Sequence, residues 1–188
     1  MPSSNKAYLA MMQLADETGN GAIVDLGSGW GSFVIRIATR YPHRKIIGYE
    51  LSYLPWLIST ILKKLLKLHN LTLHRQNFYL ADLSNVSVVV CYLFPEAMVK
   101  ISNKLQLEQS NVTFLISNNF ALPYSIVTSQ QISSSSAKTP LQLRLQKRLQ
   151  QSKVIHLTDF YKSPVYLYEL KTDYLNGLKT KVNVDHIE

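Results

Sequence analysis

The residues best suited to bind a ligand lie in the stretch VDLGSGWGSF, residues 24–33. It contains Asp25 and then glycines at every second position, Gly27, Gly29 and Gly31. A glycine-rich turn between a strand and a helix lets a ligand lie against the bare backbone at the helix N-terminus. The stretch therefore predicts a ligand site at the end of a buried strand.

The spacing of the glycines argues against a dinucleotide. The dinucleotide turn G-x-G-x-x-G would need a glycine at position 32, where this chain has Ser32. Asp25 would repel a pyrophosphate and attract a cation. S-adenosylmethionine carries an ammonium and a sulfonium and no phosphate, so it is the predicted cofactor. The alternatives are a nicotinamide or flavin dinucleotide, and a turn that only permits close helix–strand packing.

Two later strand ends supply the other contacts that such a cofactor needs. Glu50 closes the segment IIGYE, and one carboxylate can accept hydrogen bonds from both ribose hydroxyls. In the segment QNF, the Asn77 oxygen can accept from the adenine amino group, and Phe78 offers an apolar face. The predicted cofactor-binding residues are Asp25, Leu26, Gly27, Ser28, Gly29, Gly31, Glu50, Leu51, Asn77, Phe78 and Tyr92.

The elements that must position these residues alternate between strand and helix. Apolar periodicity predicts helices at 3–15, 32–41, 53–69 and 95–107, and strands at 22–26, 45–51, 71–78, 86–94, 112–118, 153–160 and 164–170. The alternation predicts an open, doubly wound α/β sheet in a single domain, residues 1–188. The short loop between the last two strands predicts that they pair antiparallel.

Two segments leave alternatives open. The Ser- and Gln-rich residues 125–152 predict a mobile loop or a lid over the substrate, although 141–151 also fit a strand or a helix. The apolar face of the helix at 53–69 is expected to cover the sheet. Its lysines, Lys63, Lys64 and Lys67, leave binding to a membrane surface as the alternative.

Composition limits the class of protein. Lys and Arg outnumber Asp and Glu by 20 to 12, a net charge of +8, which favours RNA, an acidic protein patch or a membrane surface, or serves only solubility. The single cysteine, Cys91, excludes an internal disulfide and is expected to be buried and inert. No histidines have metal-ligand spacing, so no metal is predicted. With no visible secretion signal and no apolar stretch of membrane-spanning length, we expect a soluble, cytoplasmic protein.

On these motifs the chain resembles the class I, seven-strand methyltransferases. More narrowly, it resembles the small protein-lysine methyltransferases related to the enzyme that acts on the c-ring protein of ATP synthase. The segments that carry the resemblance are VDLGSGWG, GYELSYLPWL and ADLSNVSVVVCYLFPEAM. The resemblance implies a Rossmann-like, mostly parallel seven-stranded sheet with an antiparallel C-terminal pair. It also implies S-adenosylmethionine as cofactor and a protein lysine as methyl acceptor.

Methyl transfer to lysine predicts a further group of residues. The amine must be neutral and held in line with the methyl group, and a partly desolvated channel favours its neutral form. We expect that channel where the fourth strand ends, with Tyr92 and Asn119 orienting the amine by hydrogen bonds. The family tends to carry aspartates where Asn77 and Asn119 stand. These departures leave a catalytically silent cofactor-binding protein as one alternative, and the net positive charge leaves an RNA methyltransferase as another.

Overall fold

The computed structural model describes residues 4–107, 110–122, 146–158 and 163–173. The helices are α1 (Asn5–Asp16), α2 (Ser32–Arg40), α3 (Tyr53–Leu65) and α4 (Pro95–Leu107). The strands are β1 (Ile23–Leu26), β2 (Ile46–Tyr49), β3 (Leu71–His74), β4 (Val88–Cys91), β5 (Phe114–Asn118), β6 (Gln146–His156) and β7 (Pro164–Asp173). A short 3-10 helix, Phe78–Leu80, follows β3. Most elements lie where apolar periodicity predicts them.

The strands form one seven-stranded sheet in the order β3-β2-β1-β4-β5-β7-β6. Strands β1 to β5 are parallel, and β7 runs antiparallel to both of its neighbours. The predicted doubly wound sheet with an antiparallel C-terminal pair is therefore confirmed. The strand order reverses between β1 and β4, and ligands of open α/β sheets bind at the carboxyl ends of strands at such a point. Asp25 lies there, paired in register with Val90.

Helices cover both faces of the sheet, as the continuous apolar strands require. On one face α1 packs against β5 and β7, and α2 packs against β2 and β3, in a core that includes Leu14, Val34 and Ile37, all fully buried. On the other face α4 contributes Met98 and Ile101, also fully buried. The central strands are thus fixed from both sides, which holds their carboxyl ends in place.

Helix α3 differs from its prediction in length and in exposure. It ends at Leu65 because Lys67, with φ 54°, has left the helical conformation. Its apolar face does not cover the sheet: Ser59 is its buried residue, whereas Ile61 is 48% exposed. The helix lies beside α2 against β3, the edge strand, so only one side of it is covered. Within the described residues, no helix has the length and apolar character to cross a membrane.

The prediction of a loop over residues 125–152 is wrong for the last part of this segment. Residues 146–152 belong to β6, which pairs with β7 across an irregularity between Gln151 and Lys153. Leu149, 1% exposed, packs in the core while Gln150 faces solvent, an alternation that is typical of a strand. Residues 125–145 lie outside the described residues, so the lid stays a prediction.

Candidate active site

The turn between β1 and α2 has the backbone conformation that its glycines allow. Gly27, Gly29 and Gly31 have φ of 88°, 53° and 80°, in the left-handed region that residues with a Cβ rarely adopt. The N–H groups of Gly27 and Ser28 both donate to the Tyr49 carbonyl, at 2.9 Å each. The turn is therefore fastened to the end of β2.

Gly29 and Gly31 have different roles in the turn. A Cβ at Gly31 would lie 2.6 Å from Cβ of the buried Ser59, so this glycine lets α3 approach the start of α2. A Cβ at Gly29 would meet no atom of the described residues within 4 Å, and Gly29 lines an open cavity. Of the two, Gly29 faces the cavity and Gly31 serves the packing.

Glu50, at the end of β2, binds this turn directly. Its Oε2 accepts a hydrogen bond from the Gly29 N–H at 2.9 Å, and its Oε1 accepts one from the Ser52 N–H at 2.7 Å. Each carboxylate oxygen retains capacity for a further bond, so both can still accept from ribose hydroxyls. Glu50 thus orients the turn in addition to its predicted role.

Asp25 is a buried carboxyl group in the wall of the cavity, 7% exposed. Burial, together with the negative charge of Glu50, raises the pKa of Asp25 to about 7. Since both effects disfavour the carboxylate, a cationic ligand group beside Asp25 would be strongly favoured.

The cavity has a volume of about 410 Å³ and lies between the glycine turn, α1 and the end of β4. Of the predicted residues, Asp25, Gly27, Ser28, Gly29 and Tyr92 line it. The lining residues that the sequence did not indicate are Tyr8, Met11, Trp30, Ser32, Phe33, Val90 and Cys91. The spacing of Tyr8 and Met11 on one helical face was a usable signal, but nothing in the sequence placed α1 beside this cavity.

The polar groups of the cavity fit S-adenosylmethionine better than a dinucleotide. The turn's N–H groups at Gly27, Ser28, Gly29 and Gly31 all donate within the protein, so none of these four is available to a pyrophosphate. Among the described residues, the buried Ser28 Oγ has no hydrogen-bond partner. Asp25 would hold the ammonium of this cofactor, and Glu50 would hold its ribose.

Several predicted cofactor residues do not line the cavity, Glu50 and Gly31 among them. Leu26 is fully buried in the core, and Leu51 is 65% exposed. The Asn77 Oδ1 accepts from the Tyr79 N–H at 3.1 Å and so caps the 3-10 helix. The Phe78 ring packs against Tyr79 at 4.4 Å between ring centroids. The adenine contacts of Asn77 and Phe78 stay a prediction.

The predicted substrate residues follow β4 and β5. The ring of Tyr92 stacks on Phe120 with centroids 6.2 Å apart, which brings the two strand ends together. Asn119 has φ 70°, and its N–H donates to the Pro164 carbonyl at 2.8 Å, so β7 holds it in this left-handed conformation. Asn119 does not line the cavity.

Cys91 lines the cavity but is 1% exposed. Burial raises the pKa of its thiol to about 12, so it is not a nucleophile at neutral pH.

Comparisons with known proteins agree with this geometry. The family model of the ANTKMT methyltransferase domain matches residues 25–128, more than half of the chain. The Xenopus laevis lysine N-methyltransferase of the ATP synthase c-subunit is 34% identical over 110 residues, 55% of this chain and 45% of that protein. The adenine nucleotide translocase lysine N-methyltransferase of Mus musculus is 32% identical over 111 residues, with the same coverage. The chain thus spans about half the length of these curated relatives.

Solved structures agree in fold. An RNA methyltransferase from Salinibacter ruber in complex with S-adenosyl-L-homocysteine superimposes with a TM-score of 0.70 at 20% identity, covering 95% of this chain and 99% of that one. A SAM-dependent methyltransferase from Aquifex aeolicus gives 0.59 at 11% identity, covering 89% and 93%. At these identities the likeness concerns the fold alone. By the match over residues 25–128, the chain belongs to the ANTKMT methyltransferase domain family.

Proposed function

We propose that the chain transfers a methyl group from S-adenosylmethionine to lysine side chains of a protein. The family match over residues 25–128 carries this proposal, and both curated relatives are lysine N-methyltransferases by name. Those relatives are about twice as long as the matched region, so the substrate is argued from the site as well.

The cavity supports the cofactor half of the proposal. Bound S-adenosylmethionine supplies a methyl group on a sulfonium, which a nucleophile displaces directly. The chain's own contribution would be to hold the cofactor with Asp25 and Glu50, beside a cavity that extends to the end of β4. Val90 and Tyr92 line the cavity on that side.

The aromatic pair at the ends of β4 and β5 supports a lysine acceptor. An amine beside the Tyr92 and Phe120 rings is partly desolvated, which lowers the pKa of a lysine and favours its neutral, nucleophilic form. The amine nitrogen forms its bond to the methyl carbon as the carbon–sulfur bond breaks. The Tyr92 hydroxyl and the Asn119 side chain orient the amine in this proposal.

The competing function is RNA methylation. The net charge of +8 favours it, and RNA binding of that kind would weaken steeply as salt is added. The similarity to the solved RNA methyltransferase structure does not favour RNA methylation, because at 20% identity it indicates only the fold.

The experiment follows methyl-labelled S-adenosylmethionine into a lysate of the source cells, with one portion treated with protease and another with ribonuclease. We expect the label in protein, at lysine residues located by mass spectrometry. Label that ribonuclease releases would assign RNA as the substrate. If neither protein nor RNA carries the label, although the chain binds the cofactor measurably, the protein-lysine proposal is overturned.

Two variants separate the halves of the site. Glu50→Ala should lose both cofactor binding and labelling. Tyr92→Phe should keep cofactor binding, since it removes only the hydroxyl, and should lower the labelling rate by about ten- to a hundred-fold if that hydroxyl positions the amine. Full labelling by Tyr92→Phe would remove Tyr92 from the substrate half.

A further inference from the structure

Helix α3 presents an apolar face to the outside of the molecule. Leu54, Leu57, Ile58, Ile61 and Leu65 follow the spacing i, i+3, i+4, i+7 and i+11, which places them on one side of a helix. Leu54, Ile61 and Leu65 are 56%, 48% and 71% exposed. Leu57 and Ile58 are half-buried between them. We call these five residues the outer face of α3.

The opposite side of α3 fixes its orientation. Ser59 is fully buried against the glycine turn, and the Trp56 Nε1–H donates to the Leu73 carbonyl of β3 at 3.4 Å. The helix is therefore docked on the edge of the sheet through its polar and aromatic side chains. Its leucine-rich side is exposed, the reverse of what burial of apolar surface favours in a monomer in water.

The charged residues of α3 and of the segment that follows it in sequence are of one sign. Residues 51–81 contain no Asp or Glu. Lys64 and Lys67 are exposed at the C-terminal end of the helix, and the Arg75 guanidinium lies over the Tyr53 ring, 5.5 Å from its centroid. The surface is thus both apolar and positively charged.

This combination favours one occupant. A symmetric pair of chains would bring two sets of lysines to the same interface, where like charges repel. RNA would pair with the lysines but would leave the leucines in water. An anionic lipid surface can contact both the leucines and the lysines, because leucines enter the boundary of headgroups and acyl chains while lysines bind the negative headgroups. We propose that the outer face of α3 docks the protein on an anionic membrane surface.

The first test is sedimentation of the full chain with vesicles. We expect binding to vesicles of equimolar phosphatidylserine and phosphatidylcholine and much weaker binding to phosphatidylcholine alone. Ile61→Gln with Leu65→Gln should weaken binding about ten-fold or more, because both side chains are exposed and their apolar area no longer enters the lipid. Lys64→Glu should weaken it as well.

Matched control variants lie elsewhere on the surface. Leu9→Gln changes a leucine of α1 that is 61% exposed, and Lys45→Glu reverses an exposed lysine outside α3. Neither should change vesicle binding. Equal losses in the controls and the α3 variants would overturn the proposal, as would an absence of binding by the unchanged chain. Far-ultraviolet circular dichroism of every variant checks that it is folded.

The second test reports the depth of the helix directly. Cys91 is the only cysteine and is buried, so a cysteine introduced at the surface is labelled selectively. An environment-sensitive fluorophore on Ile61→Cys should shift to the blue with anionic vesicles, and the same label on Leu9→Cys should not. A blue shift at Ile61→Cys that depends on protein concentration without vesicles would assign the face to a second copy and overturn the lipid proposal. A shift produced by RNA alone would overturn it likewise.

Discussion

The Glu50 carboxylate already bonds to the N–H groups of Gly29 and Ser52. Removing it therefore changes the shape of the turn as well as the predicted ribose contact. We expect Glu50→Ala to weaken binding of S-adenosylhomocysteine by about 2–4 kcal/mol, the scale of two hydrogen bonds to a charged group. Isothermal titration calorimetry measures the difference.

A matched control for Glu50 is Asp82→Ala. Asp82 is also a carboxylate that accepts from a backbone N–H, but its donor is Ser84, at 2.9 Å, whereas one donor to Glu50 is Gly29 of the glycine turn. Its removal should leave ligand binding unchanged. Equal affinity of Glu50→Ala and the unchanged protein would show that Glu50 does not hold the ribose.

The predicted contact between Asp25 and the cofactor's ammonium should make cofactor binding depend on pH. Its pKa of about 7 means that much of the protein carries a neutral Asp25 at neutral pH, whereas the cofactor's ammonium favours the carboxylate. Binding of S-adenosylhomocysteine should therefore release protons and tighten as pH rises from about 6 to about 8, by up to ten-fold per pH unit well below the pKa. Calorimetry in buffers of different ionisation enthalpy counts the protons. The Asp25→Asn variant should bind the ligand more weakly, and its affinity should not change with pH over this range. If the affinity of this variant still depended on pH, a group other than Asp25 would be responsible.

The same group has the opposite effect on the protein without ligand. In the unfolded chain an aspartate has a pKa near 3.9, so between about 4 and about 7 the folded state binds the proton more tightly. This group therefore lowers the free energy of unfolding as pH rises through that window.

At the scale of elements, two glycines of the turn allow a matched comparison. Gly31→Ala places a Cβ 2.6 Å from Cβ of Ser59 on α3, in addition to an unfavourable φ, and should lower the free energy of unfolding by about 2–4 kcal/mol. Gly29→Ala meets no protein atom and should cost about 1 kcal/mol of stability, from its φ alone. Urea denaturation compares them.

For cofactor affinity, the order of the two variants should be reversed, with the larger loss in Gly29→Ala and the smaller loss in Gly31→Ala. Gly29 lines the cavity, so Gly29→Ala should reduce cofactor affinity more than its small loss of stability implies. If Gly29→Ala bound the ligand normally, the turn would serve packing alone.

How well the sequence predicts the position and burial of an element depends on which other elements pack against it. β1 and β4 are buried along their whole length and α2 buries its apolar face, so their patterns reflect burial and their positions follow from the sequence. The outer face of α3 has the same apolar spacing as a buried helix, and periodicity cannot tell which partner covers it. For β6, serine and glutamine content favoured a loop, but pairing with β7 outweighed composition. The roles of Tyr8 and Phe33 depend on a tertiary contact that no local pattern encodes.

At the scale of the whole molecule, cofactor binding should raise thermal stability. A ligand at about a hundred times its dissociation constant adds about 2.7 kcal/mol to the free energy of unfolding. For a domain of this size that corresponds to a rise in Tm of about 5–10 °C. Differential scanning calorimetry with S-adenosylhomocysteine measures this rise in Tm, and NAD at equal concentration is the control. A comparable rise with NAD would favour the dinucleotide.

The position of β7 bears on synthesis of the chain. β7 follows every other described strand in sequence, yet it lies between β5 and β6 in the sheet. Until residues 164–173 have left the ribosome, β5 is an unpaired edge with free N–H and C=O groups along one side. Such an edge is a template for pairing with other chains. Ribosome pausing or premature termination before Pro164 should therefore divert nascent chains to aggregates, which makes chaperone protection most valuable late in translation.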